Sequence, residues 1–117
     1  MEIKPAINAL SALAQDSRLA IYRLLIQAGP GGMPAGKIGA ATGIAPSSLS
    51  FHLKELDHAN LVTSRNESRF VIYSANYATM NDLIKFLTEN CCGGNPCVPV
   101  CTTPCTTAEE TPAVLPL

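Results

Sequence analysis

The sequence predicts a mainly α-helical domain of the α+β class, built from five helices and one β-hairpin. Apolar residues recur at intervals of three and four over most of residues 1–90, as they do in amphipathic helices. One segment after residue 60 instead alternates with a period of two, which is typical of paired strands. The chain has 117 residues, 47% hydrophobic and 15% charged, so it can bury one compact core but not two.

Two amphipathic helices are predicted before residue 30. The first carries a stripe of apolar side chains on one face: Ile3, Ile7, Leu10 and Leu13. A polar break at residues 15–17 precedes the second helix, which carries a similar stripe: Leu19, Tyr22, Leu25 and Ile26. This helix is expected to end near Gly29, because the glycine and the proline after it interrupt helical hydrogen bonding.

A pair of shorter helices follows, separated by a tight turn. The third helix is predicted from Pro34 to Thr42, with Gly43 as its left-handed cap. Pro46 suits the first position of the fourth helix, whose apolar face carries Leu49, Leu53 and Leu56. The opposite face of this helix is polar, so it is free to meet a ligand.

A β-hairpin and a last helix complete the folded part. The hairpin has its predicted tip at residues 66–68, and the last helix is expected over about residues 77–90. That helix carries four large apolar residues: Met80, Leu83, Ile84 and Leu87. This is more apolar surface than a terminal helix of so small a domain can bury alone, which predicts a partner.

The order helix, turn, helix, hairpin predicts a winged helix-turn-helix, which places its second helix in the DNA major groove. Small hydroxyl side chains near the start of that helix can bond base edges, and a lysine can meet phosphates. Arginines on either side of the hairpin tip can reach the backbone or the minor groove. The predicted DNA-binding residues are Ser47, Ser48, Ser50, Phe51, His52, Lys54, Arg65 and Arg69.

Each of these features has a plainer explanation when taken alone. Serines at a helix start commonly cap the helix, and arginines on a hairpin commonly protect a sheet edge. All eight Lys and Arg lie in residues 1–90, which leaves that part near a net charge of +1. Any DNA contact must therefore come from shape and a few placed side chains, rather than from bulk charge.

The composition changes abruptly after Asn90. All five cysteines fall in a short stretch rich in proline, glycine and threonine: Cys91, Cys92, Cys97, Cys101 and Cys105. Residues 91–117 have too few large apolar residues to form a core of their own. We therefore expect a folded domain over residues 1–90 and a flexible cysteine-rich tail over residues 91–117, whose thiols bind metal or respond to oxidants.

Three segments resemble the ArsR/SmtB family of metal-responsive repressors: LAQDSRL at residues 13–19, APSSLSFHLKEL at 45–56, and LV at 61–62 with FVIY at 70–73. The resemblance covers roughly residues 8–90. It implies a homodimer, paired through the first and last helices, that binds an inverted-repeat operator and leaves it when a toxic metal or metalloid binds. The dimerisation residues are then Ile3, Ile7, Leu10, Met80, Leu83, Ile84 and Leu87.

The sequence departs from this family in two informative places. Phe51 stands where a polar or basic residue is common, and the third helix lacks the cysteines that sense arsenic in relatives. The tail cysteines are the natural replacement, because soft trivalent metalloids favour thiolates. The expected inducer is As(III) or Sb(III), including methylated trivalent arsenicals. The preferred ligands are Cys91, Cys92 and Cys97, with Cys101 as a substitute.

The cysteine-rich tail is also compatible with other functions. The cysteine spacing lacks the paired C-x2-C of structural zinc sites, but a zinc, cadmium or redox response and a metal-buffering chaperone stay open. No catalytic motif occurs, so we expect neither an enzyme nor a required cofactor. The absence of an apolar run of about 18 residues predicts a cytoplasmic protein without a membrane partner.

Overall fold

The computed structural model describes residues 1–94, which contain five helices and a three-stranded antiparallel sheet. The helices are α1 Ile3–Leu13, α2 Asp16–Ala28, α3 Ala35–Thr42, α4 Pro46–His58 and α5 Tyr77–Thr88. The strands are β1 Met33–Pro34, β2 Val62–Glu67 and β3 Phe70–Ala75, and a 3-10 turn spans Cys91–Gly94. The chain divides into two compact units, Met1–Phe86 and Leu87–Leu117. The five helices and the hairpin confirm the predicted winged helix-turn-helix.

Helix α1 packs on the core through its small residues. Its buried side chains are Ala6, Ala9 and Ala12, whereas the larger residues of the predicted stripe are mostly exposed. Alanines allow the backbones of neighbouring helices to approach closely, and α1 contacts both α2 and α4. Ile3, Ile7 and Leu10 therefore point away from the core of the chain, whereas Leu13 packs against it.

The α1–α2 junction is fixed by local hydrogen bonds. The Gln15 side chain accepts a bond of 3.0 Å from the backbone N–H of Arg18, which caps α2. The Arg18 guanidinium in turn donates through Nε to the carbonyl of Ala12 near the end of α1, at 2.7 Å. The polar break predicted between the two helices is thus a structured corner.

The turn between α3 and α4 forms as its sequence predicts. Gly43 adopts a left-handed conformation, with φ of 74°, and its N–H bonds the Gly39 carbonyl at 2.8 Å. Helix α4 begins at Pro46, whose missing N–H costs nothing in the first turn of a helix. Leu49, Leu53 and Leu56 are buried and join α4 to the core.

The sheet differs from the predicted hairpin in two ways. Strands β2 and β3 pair from Val62 with Ala75 to Glu67 with Phe70, so the turn is Ser68-Arg69, slightly later than expected. Ser68 takes a positive φ of 57°, as such tight turns require. The third strand, β1, pairs with β3 and was missed, because two residues carry no periodic signal. Pro34 ends this strand and caps α3 rather than starting it.

The core of the first unit lies where α2, α3, α4 and the sheet meet. Seven large side chains are fully buried there: Ile21, Leu25, Ile38, Leu53, Leu56, Leu61 and Val62. Such a core fixes the outer face of α4 relative to the hairpin. None of the helices in residues 1–94 has both the length and the hydropathy needed to cross a membrane.

Candidate nucleic-acid interface

The outward face of α4 is a continuous row of exposed side chains. Because successive residues are 100° apart on a helix, Phe51 lies on the side opposite the buried Leu49 and Leu53. Ser47 and Lys54 lie one turn away on either side of Phe51, and all three are exposed. Ser48 and Ser50 are exposed on the flanks of this row. The helix thus presents five of its predicted DNA-binding residues to solvent.

The serines of α4 do not cap the helix. The N-cap position belongs to Ala45, which makes no side-chain cap hydrogen bond, and the helix begins one residue later. Ser47 and Ser48 lie within the first turn, where backbone N–H groups have no partner inside a helix. The positive end of the helix and these N–H groups suit a phosphate, and the hydroxyls suit phosphates or base edges. The capping alternative therefore does not account for these serines.

His52 is held by contacts within the protomer. Its Nδ1 lies 3.3 Å from Nη1 of Arg18, the residue that also bonds the Ala12 carbonyl. The His52 ring meets the Phe51 ring edge-on, with centroids 5.6 Å apart. These two contacts fix the His52 ring, and its predicted DNA contact stays a prediction. Together with Arg18, which the sequence analysis did not select, His52 ties α4 to the α1–α2 corner.

Arg65, in the middle of strand β2, braces the hairpin, which is the wing of this fold, against the loop after α2; we call this contact the wing base. Its guanidinium donates to the Gly31 carbonyl at 2.9 Å, to Glu67 Oε2 at 2.9 Å and to Ser74 Oγ at 3.4 Å. The Ser74 hydroxyl donates in turn to the Pro30 carbonyl at 3.2 Å. These bonds join both wing strands to the loop after α2. Arg65 thus has a structural role within the chain, and its DNA contact stays a prediction.

Gly32 makes the close approach at the wing base possible. A Cβ atom at this position would lie 2.4 Å from the Tyr73 carbonyl oxygen and 2.5 Å from Ser74 Oγ, and the residue has φ of 75°. Only glycine satisfies both conditions without strain. The backbone of the loop therefore packs directly on the backbone of β3, and the hydrogen bonds made by Arg65 and Ser74 stabilise this contact.

Arg69 differs from Arg65 in position and in partners. It occupies the two-residue turn of the wing and is exposed. The salt bridge found within residues 1–94 joins Arg65 to Glu67, which leaves the Arg69 guanidinium unpaired in this part of the chain. Lys54 on α4 is likewise exposed and unpaired there. These two cations are available to DNA phosphates.

The predicted dimer surface is present on α1 and is smaller than expected on α5. Ile3, Ile7 and Leu10 are 65%, 53% and 43% exposed, a large apolar row on one face of α1. Leu83 is only 3% exposed and packs into the core of the chain, which leaves little of its side chain for an interface. Met80 and Ile84 are half-buried, and Leu87, in the second unit, is exposed.

Most of the predicted metal site lies outside the described residues. This holds for Cys97 and Cys101 and for the side chain of Cys92. Cys91 lies in the 3-10 turn and is disulfide-bonded, which differs from the free thiol expected at this position. Over the described range, no three His, Cys, Asp or Glu side chains lie close enough together to hold a metal ion.

An exposed helix on a helix-turn-helix, flanked by a braced wing, defines a winged helix-turn-helix DNA-binding protein. A family model described as a helix-turn-helix domain matches residues 13–65. The transcriptional repressor SdpR of Bacillus subtilis (strain 168) is 30% identical over 80 residues, which is 68% of this chain and 86% of that protein. The chain belongs to the ArsR family of winged helix-turn-helix transcriptional regulators.

Solved structures agree with this assignment. A possible transcriptional regulator for arsenical resistance is 26% identical, with a TM-score of 0.61 over 70% of this chain and 82% of that one. An ArsR-like transcriptional regulator from Rhodococcus sp. RHA1 shares the fold, with a TM-score of 0.69, 17% identity and coverage of 98% and 97%. SdpR is a transcriptional repressor, and the matching family model is a helix-turn-helix domain, in agreement with the expectation that the chain is not an enzyme.

Proposed function

We propose that this chain is a repressor that binds an operator in double-stranded DNA as a homodimer. We further propose that it leaves the operator when thiolates of its C-terminal segment bind As(III) or Sb(III). The observation that carries the first part is the outward face of α4, where five polar or aromatic side chains stand free on a helix fixed by the core. A major groove about 12 Å wide admits such a helix.

Three kinds of contact support DNA binding. The serines in the first half of α4 can exchange hydrogen bonds with base edges, and the N-terminal N–H groups of the helix can bond a phosphate. Lys54 and Arg69 add two unpaired cations, one on the helix and one at the wing tip. Because these cations lie on separate elements, they can contact phosphates on both sides of the groove that α4 enters.

The apolar row on α1 supports a homodimer. Ile3, Ile7 and Leu10 are spaced four and three residues apart, so they lie on one helical face, and each is at least 43% exposed. Burying this row against a second copy removes it from water and creates a two-fold arrangement. Two copies of α4 then meet half-sites about 34–36 Å apart, which is one turn of DNA.

The inducer is proposed from the chemistry of the cysteines. Five cysteines follow α5 within residues 91–105, and soft metalloids prefer sulfur to nitrogen or oxygen ligands. Trivalent arsenic takes three thiolates, for which we propose Cys91, Cys92 and Cys97, with Cys101 as a substitute. The relative described as a possible transcriptional regulator for arsenical resistance supports this choice. Inducer binding lowers the affinity for DNA if it stabilises a dimer in which the spacing of the two α4 helices differs from the spacing of the operator half-sites.

A redox response is the second candidate, and one observation favours it. Cys91 is disulfide-bonded, so thiol oxidation is a chemistry that this segment can perform. Oxidation and metalloid binding exclude each other at a given cysteine, because a disulfide sulfur has no thiolate to offer. The two candidates can therefore be separated by fixing the redox state of the chain before the inducer is added.

The test uses fluorescence anisotropy on a labelled operator obtained by selection from random duplex DNA. The full chain, kept reduced, should bind this operator, and stoichiometric arsenite should release it. Cys91→Ser and Cys92→Ser should each abolish release. Because Cys101 can substitute for Cys97, Cys97→Ser should abolish release only when it is combined with Cys101→Ser. Cys105→Ser serves as the matched control and should respond normally. Release by hydrogen peroxide without release by arsenite would favour the redox candidate. A metal-buffering chaperone would show no sequence-specific DNA binding at all.

A further inference from the structure

Phe51 occupies the centre of the outward face of α4. It is 54% exposed, although its neighbours along the outward row are polar: Ser47, Lys54 and His58. Within the described residues its ring contacts the His52 ring at an interplanar angle of 64°, and about half of the residue still meets solvent. The other large exposed apolar residues lie on other elements, namely α1, α2, the wing and α5. Phe51 is therefore the one large exposed apolar residue of α4.

The chemistry of the phenyl ring restricts what it can recognise in a major groove. It has no hydrogen-bond donor or acceptor, so it cannot read the base-edge pattern of polar groups. The one apolar group exposed on a major-groove base edge is the C5-methyl group of thymine. We propose that Phe51 specifies thymine in each operator half-site by packing its ring on that methyl group. This inference rests on the proposed function, because it requires α4 to enter the groove.

The place of Phe51 along α4 agrees with this role. It is five residues beyond Pro46, which puts its Cα about 7.5 Å from the start of the helix axis. The N-terminal part of a recognition helix is the part that contacts base edges. Ser47 lies one turn before Phe51 and Lys54 one turn after it, so a polar contact on either side sets the distance of the ring from the bases.

The experiment compares thymine with uracil, which lacks only the methyl group. The reduced full-length chain first selects its operator from random duplex DNA. Each thymine of the selected site is then replaced by deoxyuridine, in both half-sites together, and Kd is measured. At one symmetric position the wild type should lose about fourfold per methyl group, or about 15-fold for the two half-sites. A 5-methylcytosine at that position should bind better than cytosine.

Variants separate the role of the ring from other contacts. Phe51→Ala should bind the thymine operator about as weakly as the wild type binds the uracil operator. Replacing thymine by uracil should not weaken the binding of Phe51→Ala further, because both changes remove the same contact. Phe51→Leu retains an apolar side chain and should keep part of the thymine preference. Ser47→Ala is the matched control, with weaker binding overall but the same ratio of thymine to uracil affinity.

The outcomes distinguish this inference from the proposed function. If no motif is selected, the chain does not bind DNA sequence-specifically and the proposed function itself fails. If a motif is selected but no thymine in it is sensitive to uracil, or if Phe51→Ala keeps the uracil penalty, then Phe51 does not read a methyl group. Because Phe51 is exposed, its replacement should leave the circular dichroism spectrum and the dimer unchanged.

Discussion

The outward face of α4 and Arg65 of the wing were both predicted to meet DNA, but their side chains have different surroundings in the structure. On α4, the serines, Phe51 and Lys54 are exposed, and no ion pair within the described residues involves them. At the wing base, Arg65 bonds the Gly31 carbonyl, Glu67 and Ser74. The first region offers free side chains on a rigid support, and the second provides part of that support.

This difference shows that a charged residue near a binding element need not be a binding residue. Arg65 and Arg69 lie four positions apart on one hairpin, and sequence reasoning treated them alike. One points to a loop that comes from a distant part of the chain, and the other lies in the turn. The following substitutions test whether the wing base supports the interface while α4 and the wing tip form it.

The largest effect is expected at Gly32, where the loop meets β3. Gly32→Ala places a Cβ against the Tyr73 carbonyl at a positive φ, and should lower the free energy of unfolding by about 3 kcal/mol. Urea denaturation measures this change. Gly31→Ala is the matched control, because a Cβ there meets nothing within 4 Å, and its effect should stay within about 0.5 kcal/mol. Equal effects at both glycines would contradict the close approach.

The next largest effect is expected at Arg65. Arg65→Ala removes charge-assisted hydrogen bonds and should cost about 2 kcal/mol in the free energy of unfolding. Operator affinity should also fall, because the wing loses its position, but the salt dependence of binding should not change. Glu67→Gln breaks only the exposed ion pair and should cost less than about 1 kcal/mol. A reduced salt dependence of binding in Arg65→Ala would show that Arg65 contacts a DNA phosphate, and would contradict a purely structural role.

Lys54 and Arg69 should show the opposite behaviour. Lys54→Gln or Arg69→Gln should reduce by about one the slope of log affinity against log salt concentration, since each removes one phosphate contact. The free energy of unfolding should change by less than about 0.5 kcal/mol, because neither residue has a partner in the described part of the chain. Anisotropy titrations at several salt concentrations measure the slope. An unchanged slope in both variants would show that neither Lys54 nor Arg69 contacts a DNA phosphate.

A smaller effect on stability than at Gly32 or Arg65 is expected at Tyr22, a core residue of α2. Its hydroxyl is buried without a hydrogen-bond partner among the residues described, and burial, with the nearby Tyr77, raises its pKa from 10.0 to about 12. The unfolded chain therefore releases this proton first, so stability should fall as pH rises from 10 towards 12. Tyr22→Phe should remove that fall and raise the free energy of unfolding at neutral pH by up to about 1 kcal/mol.

Tyr77 provides the control for this prediction. Its hydroxyl donates to the Ile26 carbonyl at 3.0 Å, so Tyr77→Phe removes a real hydrogen bond and should destabilise the fold by about 1 kcal/mol. Both substitutions should leave the salt dependence of operator binding unchanged. A loss of stability in Tyr22→Phe would mean that its hydroxyl has a partner in solution.

The sequence predicted the helices well because their signals are local. Pro46 and Gly43 act on their own backbone, and the leucines of α4 show their face by spacing alone. The roles of Arg65 and His52 could not be predicted, because both depend on partners 34 residues away. The sequence also could not predict that α1 buries its alanines and exposes its isoleucines, because a stripe of large apolar residues usually marks the core-facing side of a helix.

The measurement that tests the central claim most directly is a hydroxyl-radical footprint of the reduced full chain on its selected operator, with and without arsenite. Without arsenite, two protected segments should appear, centred about 10–10.5 base pairs apart and related by two-fold symmetry. With one equivalent of arsenite per chain, both should disappear together. A single protected segment would contradict the homodimer, and protection that persists in saturating arsenite would contradict the thiol-bound inducer.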